Sequence, residues 1–495
     1  MLKDIRRLCM PDSPGIRGYV WPGMLILAVG LFYVLVLRQG LDWDGDDALY
    51  VMGAQNILHG LPFAKTPYLF NPDNAINPAA YPPGLPLLFA PVLSLTGVDL
   101  TALKIECIVA LTLFLGVFWT LARSRIGPAA ALLVTLAIGL HPYIVSSSNT
   151  LGSEFPFLLF CYGSLLLFDR LQSQPPPSGA AAARLGAMAA LAAALSYLTR
   201  SIGIVLFAAA FVSSVWRTRR IFSPTTAALA GAVIVCAVVQ SFYRADVGTY
   251  IHYFDQFSMH GLVLNASRYR HVAIEMLGKS RVAVWFCSVS LIVAILGFAA
   301  RLRSISVLEC FTVFYIGLLI VYPISTEAAR YEMPIWPMLY LYCAEGLSLL
   351  MRQAGANLRR AVVGAFVVSA SVLYASALRG LDFGPIPYSM TDPKTAQLFD
   401  ALRKLPAGAR VLARKPTVIA LYTGRESSIW PSQFTDAQLI GFLHRMHIQY
   451  IVQDVGHMGF DLHQADPLDP FIDRNKSALE PVFSNAWFVV YRADL

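Results

Sequence analysis

The chain has 495 residues, 56% of them hydrophobic and 14% charged, with a mean hydropathy of +0.57 and a formal net charge of +8. A water-soluble globular chain carries about 25% charged residues, so a protein bathed in water on all sides is excluded. The surplus of Lys and Arg has to be read by location, because in membrane proteins it reports orientation.

Lys3, Arg6, Arg7 and Arg17 precede a long apolar run. The run exceeds a signal h-region and no small-residue cleavage site follows it, so it reads as a signal anchor. A bilayer core of about 30 Å needs roughly 20 apolar residues in a helix. Runs near that length fall at about 19–38, 100–122, 127–145, 154–169, 225–243, 281–300, 305–323, 333–351 and 360–378. The stretch 184–216 would measure about 50 Å as one helix, too long for one crossing. Breaking it at Thr199-Arg200-Ser201-Ile202-Gly203 gives two short spans and eleven in all.

Charge supports that count. With the N-terminus cytoplasmic, the short inside loops hold Arg123/Arg125, Arg170/Arg184, Arg217/Arg219/Arg220, Arg301/Arg303 and Arg352/Arg359/Arg360. Every inside loop is then basic, as the positive-inside rule expects; one span over 184–216 would put Arg217, Arg219 and Arg220 outside. Segments at about 40–99, 146–153, 244–280 and 324–332 face out. The region after about 380 has ordinary soluble composition and reads as a small extracytoplasmic α/β domain. In it, Asp392-Pro393 is an N-cap with Pro at the first helical position. Thr435-Asp436-Ala437-Gln438 is a capping box with Phe434 and Leu439 placed as a staple. Arg410–Ala413, Tyr450–Gln453 and Trp487–Tyr491 read as strands. The expected division is 1–380, transmembrane, and 381–495, extracytoplasmic.

All seven cysteines (Cys9, Cys107, Cys161, Cys236, Cys287, Cys310 and Cys343) lie in the N-terminal segment or in apolar runs. That pattern argues against a disulfide framework or a Cys-based metal site.

The first outside segment reads Asp42-Trp43-Asp44-Gly45-Asp46-Asp47-Ala48-Leu49-Tyr50. Carboxylates so close repel one another, which raises the pKa of one or recruits a cation; either outcome suits a general base or a metal site. Equally, Asp46 or Asp47 caps the helix that follows. Next comes Asn77-Pro78-Ala79-Ala80-Tyr81-Pro82-Pro83-Gly84-Leu85-Pro86, opening a short Pro-rich apolar run that predicts a helix on, or re-entering, the outer face. Other candidates are weaker. His444 and His447 have a helical i, i+3 spacing but no third ligand, and the sequons at Asn265 and Asn475 are common by chance.

In this order, the acids after the first span, Tyr50, Ala54–Gly60, and Tyr81-Pro82-Pro83-Gly84 resemble the GT-C superfamily of membrane glycosyltransferases. The likeness extends to protein O-mannosyltransferases, aminoarabinose–lipid A transferases and rhizobial lipopolysaccharide sugar transferases. Ser153-Glu154 and Arg330-Tyr331-Glu332-Met333-Pro334-Ile335-Trp336-Pro337 match further segments, so the resemblance covers about residues 20–350. It implies a GT-C fold and a hexosyl- or pentosyltransferase of the cell envelope, in the inner (plasma) membrane. The donor would be a polyprenyl-phosphate sugar and the acceptor a glycolipid, polysaccharide or protein, with membrane lipids as partners and no nucleic acid.

Carried over residue by residue, the resemblance implies Asp46 as the inverting base, with Asp47 second and Glu154 either a second acid or a charge favoured by the helix dipole. On the outer side, Arg330, Arg268, Arg270 and Arg200 offer guanidinium for a phosphate or act as snorkelling anchors, with Tyr81 and Tyr331 expected on substrate. Some members of the superfamily need a divalent metal (Mg or Mn) and others do not, so no cofactor is assigned. Leu49 and Tyr81 stand where the aminoarabinose transferases carry basic residues, which leaves the sugar open. The rival class is a transporter or flippase of lipid-linked sugar or a small molecule. Such proteins bury charges at the bilayer midplane and repeat their halves; here the apolar runs have almost uncharged centres.

Overall fold

The computed structural model describes residues 17–40, 43, 45–70, 81–173, 179–243, 258–322, 328–386, 389–430, 434–455 and 468–494. Lys3, Arg6, Arg7, Cys9, Asp42, Asp44, Asn77–Ala80 and the Pro175–Pro177 patch lie outside the described residues.

Each of the eleven apolar runs is helical. The helices are α1 (Arg17–Leu35), α2 (Gly45–Leu58), α3 (Gly84–Thr96), α4 (Leu100–Ile126), α5 (Pro128–Gly139), α6 (Pro142–Ser147), α7 (Glu154–Leu171), α8 (Gly179–Thr199), α9 (Ile204–Thr218) and α10 (Pro224–Phe242). They continue with α11 (Met259–Glu275), α12 (Arg281–Arg301), α13 (Val307–Val321), α14 (Ala328–Glu332), α15 (Trp336–Leu350) and α16 (Ala356–Arg379). Seven helices among the described residues are long and apolar enough to cross a membrane by themselves, and α3, α5 and α13 are shorter apolar helices. The chain is a polytopic α-helical membrane protein with a small C-terminal five-stranded sheet.

Local chemistry sets the helix ends. Asp99 accepts from the Thr101 and Ala102 amides at the start of α4, and Ser306 with Glu309 forms a capping box on α13. The run 184–216 breaks where the charges demand. Arg200 is extended (φ −145°, ψ 128°), and one 3-10 turn, Ser201–Gly203, leads into α9. A Cβ on Gly203 would stand 2.8 Å from the Tyr197 backbone, so the turn closes only with glycine. The Pro-rich run forms α3, with Pro91 inside it. It abuts the end of α8, where a Cβ on Gly84 would lie 2.6 Å from the Leu198 carbonyl.

The two ends of the bundle are chemically different. At one end, buried Lys104 of α4 donates to the carbonyls of Arg38 (3.1 Å) and Gly40, tying the exit of α1 to the start of α4. At the other end of α4, about 40 Å away for its 27 residues, Arg125 pairs with Glu309 at 2.7 Å. Arg301 donates to Glu345 at 3.0 Å nearby. These pairs fasten α4, α12, α13 and α15.

The C-terminal sheet comprises β1 (Arg410–Leu412), β2 (Glu426–Ser428), β3 (Tyr450–Asp454), β4 (Leu479–Ser484) and β5 (Phe488–Ala493), in the order β2-β1-β3-β5-β4. β1 is parallel to β2 and β3, while β3–β5 and β5–β4 are antiparallel. Its helices are α17 (Pro393–Arg403), α18 (Pro416–Thr423), α19 (Asp436–Arg445) and α20 (Asp469–Arg474). The Asp392 cap and the Thr435–Gln438 box form as the sequence predicts. Phe434 packs on Phe442, with ring centroids 6.2 Å apart.

The first loop is built into this domain. Trp43 is 5% exposed, packed between Phe399 and Phe488 at 5.7 Å from each. Residues 67–69 pair alongside β2: Ser427 N–H donates to the Pro67 carbonyl (3.0 Å), and Leu69 N–H to that of Ser427 (2.8 Å). That pairing covers the edge strand, whose open backbone groups would otherwise invite association.

Candidate active site

Four charged side chains from four separate segments meet at the end of the bundle beneath the C-terminal domain. Asp46 comes from the first turn of α2, where an acid also complements the helix dipole. Glu154 opens α7, Arg200 sits in the α8–α9 break, and Arg330 lies in α14. Arg330 donates from Nη1 to Asp46 Oδ2 at 2.7 Å and from Nε to Glu154 Oε1. Arg200 donates from Nη1 to the same Glu154 oxygen and to Ser153 Oγ at 3.2 Å. Tyr81 donates its hydroxyl to Asp46 Oδ1 at 2.5 Å.

The side chains are 6–17% exposed, enclosed but reachable. Two guanidiniums and two carboxylates balance in charge. Breaking one buried pair would strand a charge at a cost of about 3–5 kcal/mol, so the quartet is held as a unit.

Aromatic side chains wall it. The Tyr50 and Tyr81 rings lie 5.2 Å apart, and Tyr50 donates to Ser153 Oγ at 3.1 Å. The Arg200 guanidinium stands 5.5 Å from the centre of the Tyr331 ring. Burial first, and the Asp46 carboxylate second, push the Tyr50 phenol well above its usual range, so it stays protonated. Pro334 and Pro337 set the geometry behind Arg330. They follow α14 with a 3-10 turn, Met333–Ile335, before α15 begins.

The sequence candidates fall into two groups. Asp46, Glu154, Arg200, Arg330, Tyr81 and Tyr331 are brought together. Asp47, next to Asp46 but turned about 100° round the helix, is 1% exposed and accepts from the Leu151 amide at 3.0 Å. It holds the loop leading to Ser153 and Glu154. Arg268 and Arg270 are exposed on α11 and are not members of the quartet. Ser153, which links Tyr50 to Arg200, carried only the signal of preceding Glu154. The His444/His447 spacing comes to nothing, because α19 ends at Arg445 and His447 is left-handed (φ 52°). The Asn265 amide is already committed to the carbonyls of Ile320 (3.0 Å) and Tyr322 (2.8 Å).

For a divalent metal, the described residues contain no group of three or more His, Cys, Asp or Glu able to hold one. The Arg330 guanidinium bridges Asp46 and Glu154, the two carboxylates that would be ligands. As placed, these residues do not fit a metal.

No protein-family model matches the chain, and no curated protein matches its sequence. Solved structures do share its fold. The ArnT of Cupriavidus metallidurans bound to undecaprenyl phosphate superposes with a TM-score of 0.60 at 13% identity, over 97% of this chain and 99% of that one. The archaeal oligosaccharyltransferase AglB of Archaeoglobus fulgidus, in complex with an inhibitory peptide and a dolichol-phosphate, gives 0.55 at 14% identity, over 88% and 69%. The mycobacterial arabinofuranosyltransferase AftD gives 0.53 at 14%; this chain covers 95% of its own length and 41% of AftD. The fold is therefore the GT-C fold of these membrane proteins.

Proposed function

We propose that the chain is a glycosyltransferase that moves a monosaccharide from a polyprenyl-phosphate donor to an acceptor at the membrane face carrying the quartet. The observation that carries this reading is the Arg330 bridge between Asp46 and Glu154, with Arg200 on the same Glu154 oxygen. It places acids that can serve a nucleophile against guanidiniums that can serve a phosphate, in one enclosed site. The basic loops at the opposite end support an extracytoplasmic position for that face, in the inner (plasma) membrane, with the N-terminus cytoplasmic. The undecaprenyl and dolichol phosphates in the solved neighbours support a lipid-phosphate ligand.

In this reaction the acceptor oxygen attacks the anomeric carbon from the face opposite the phosphate. The C1–O bond to phosphate breaks, the new glycosidic bond forms with inversion, and the electron pair leaves with the polyprenyl phosphate. Asp46 receives the acceptor proton. Asp46 accepts from Tyr81 on Oδ1 and from Arg330 on Oδ2, which orients the carboxylate toward the acceptor. Arg330 and Arg200 meet the charge growing on the phosphate; a guanidinium has five N–H donors in a fork that matches phosphate oxygens. Glu154 keeps both arginines aimed. The acceptor is a glycolipid, polysaccharide or protein that enters beneath the C-terminal domain.

The test is transfer from radiolabelled polyprenyl-phosphate sugars to a membrane fraction by the purified protein, with and without a chelator. Label in a product that depends on Asp46 and Arg330 supports the reading. Consumption of no donor across hexose and pentose carriers, with lipid-linked sugar instead crossing vesicles, would favour the transporter class. Loss of activity with chelator would assign a metal to the reaction.

A further inference from the structure

Helix α11 lies against α13 and α14 beside the quartet. On it, Tyr269 turns inward between exposed Arg268 and Arg270 and is only 8% exposed. Glu332, two residues after Arg330, is also 8% exposed. The Tyr269 hydroxyl and the Glu332 Oε2 are both buried and find no hydrogen-bond partner among the described residues, while the Glu332 carboxyl as a whole is held by a hydrogen bond with Trp336. The two groups feel each other electrostatically, and Tyr269 also feels Tyr331, whose ring faces Arg200.

A buried polar atom left without a partner is destabilising, and folded proteins keep few of them. Here two lie on neighbouring helices within electrostatic reach of each other, and Glu332 is one residue from the tyrosine that flanks the quartet. Nothing in the packing of α11 requires them, since Asn265 already anchors that helix to the end of α13. Burial pushes the Glu332 carboxyl up to about 8, so near neutral pH the pair offers mostly neutral donors and acceptors. That chemistry suits neither a cation nor a second phosphate. It suits an alcohol, which donates and accepts at once.

We propose that Tyr269 and Glu332 form a glycosyl-recognition subsite that binds a hydroxyl of the sugar carried on the lipid phosphate. This rests on reading the quartet as a lipid-phosphate-sugar site. With the phosphate on Arg200 and Arg330, the sugar is the next group along the donor, and Tyr331 separates the two positions. A hydroxyl entering there completes both orphaned bonds. The protein carries their cost when empty and recovers it only with a glycosylated lipid.

The experiment compares full-length wild type, Tyr269→Phe and Glu332→Gln. Each is titrated with undecaprenyl phosphate and with undecaprenyl phosphate carrying glucose, mannose or arabinofuranose. The quantity read is the ratio of the Kd for the bare lipid to that for the glycosylated one. Wild type should bind at least one glycosylated lipid more tightly than the bare one. Each variant should lower that ratio about tenfold, as expected for one lost hydrogen bond. Bare-lipid affinity should hold, and the melting temperature should stay level or rise, because the orphaned atoms make no intramolecular bond and Glu332→Gln keeps an acceptor oxygen for Trp336. A ratio unmoved in both variants overturns the subsite, as does a wild type that prefers none of the three sugars. Equal weakening for bare and glycosylated lipid would mean a scaffold role and also overturn it. A sugar-dependent ratio lost in the variants of a protein that makes no product sinks the transferase reading alone. Full transfer with an unmoved ratio sinks the subsite alone.

Discussion

Arg330 reaches across 284 residues of sequence to donate to Asp46 at 2.7 Å, and the same guanidinium holds Glu154. This bridge makes the first loop, the start of α7 and the segment before α15 one chemical unit. Most of what can be tested about the site follows from it.

Asp46→Asn keeps one acceptor oxygen, for Arg330, replaces the oxygen that accepts from Tyr81 with an NH2, and removes the proposed base. Transfer should fall at least about 100-fold in kcat, the range for loss of a general base, with the donor KM little changed. Initial rates on the purified variant decide it. A kcat within a few-fold of wild type would remove Asp46 from the chemistry.

Arg330→Lys keeps the charge but cannot span both acids with a planar fork. The donor KM should rise and kcat fall, with a smaller drop in melting temperature than for Arg330→Ala. The alanine variant leaves Asp46 without its guanidinium and Glu154 with Arg200 alone. Its stability loss should approach about 3 kcal/mol. Equal behaviour of the two variants would mean that charge alone matters at this position.

Asp47→Ala acts differently from its neighbour. It leaves the buried Leu151 amide without this acceptor, which costs about 1–3 kcal/mol and loosens the approach to Glu154. Thermal unfolding should register the change more than kcat does. A catalytic loss as large as that of Asp46→Asn in a fully stable protein would reverse the roles given to the two aspartates.

Glu332 makes stability depend on pH. Burial raises its folded-state pKa to about 8, above the unfolded value near 4.3, so between these values the folded protein holds a proton that the unfolded chain has released. Its contribution is fully present below about pH 4.3 and is lost as pH rises towards and through 8, with a slope on the order of 1 kcal/mol per pH unit. Melting temperatures in detergent across pH 5 to 9 should fall for wild type and flatten for Glu332→Gln. Parallel curves for the two proteins would contradict the burial argument.

Local physics is legible in the sequence. The eleven apolar runs, the break at Arg200 and the caps at Asp392 and Thr435 all follow from length, charge and side-chain chemistry within a few residues. The candidate residues are also legible, Arg200 from its place in the break and Asp46, Glu154 and Arg330 from motifs that resemble a known family. What could not be read was which of the neighbouring candidates meet. Asp46 and Asp47 differ by one residue, yet about 100° of helix rotation puts one on Arg330 and the other on the Leu151 amide. The same rotation exposes Arg268 and Arg270 and buries Tyr269 between them. The first loop's place in the C-terminal domain was also hidden. Trp43 is a core residue of a domain that begins more than 300 positions later, and β2, three residues long, has too little pattern to announce itself or its pairing with residues 67–69. Sequence determines what each segment can form, because helix length, caps and charge act over one or two turns. Tertiary structure decides which side chains share a site, because that depends on rotation and packing between segments hundreds of residues apart.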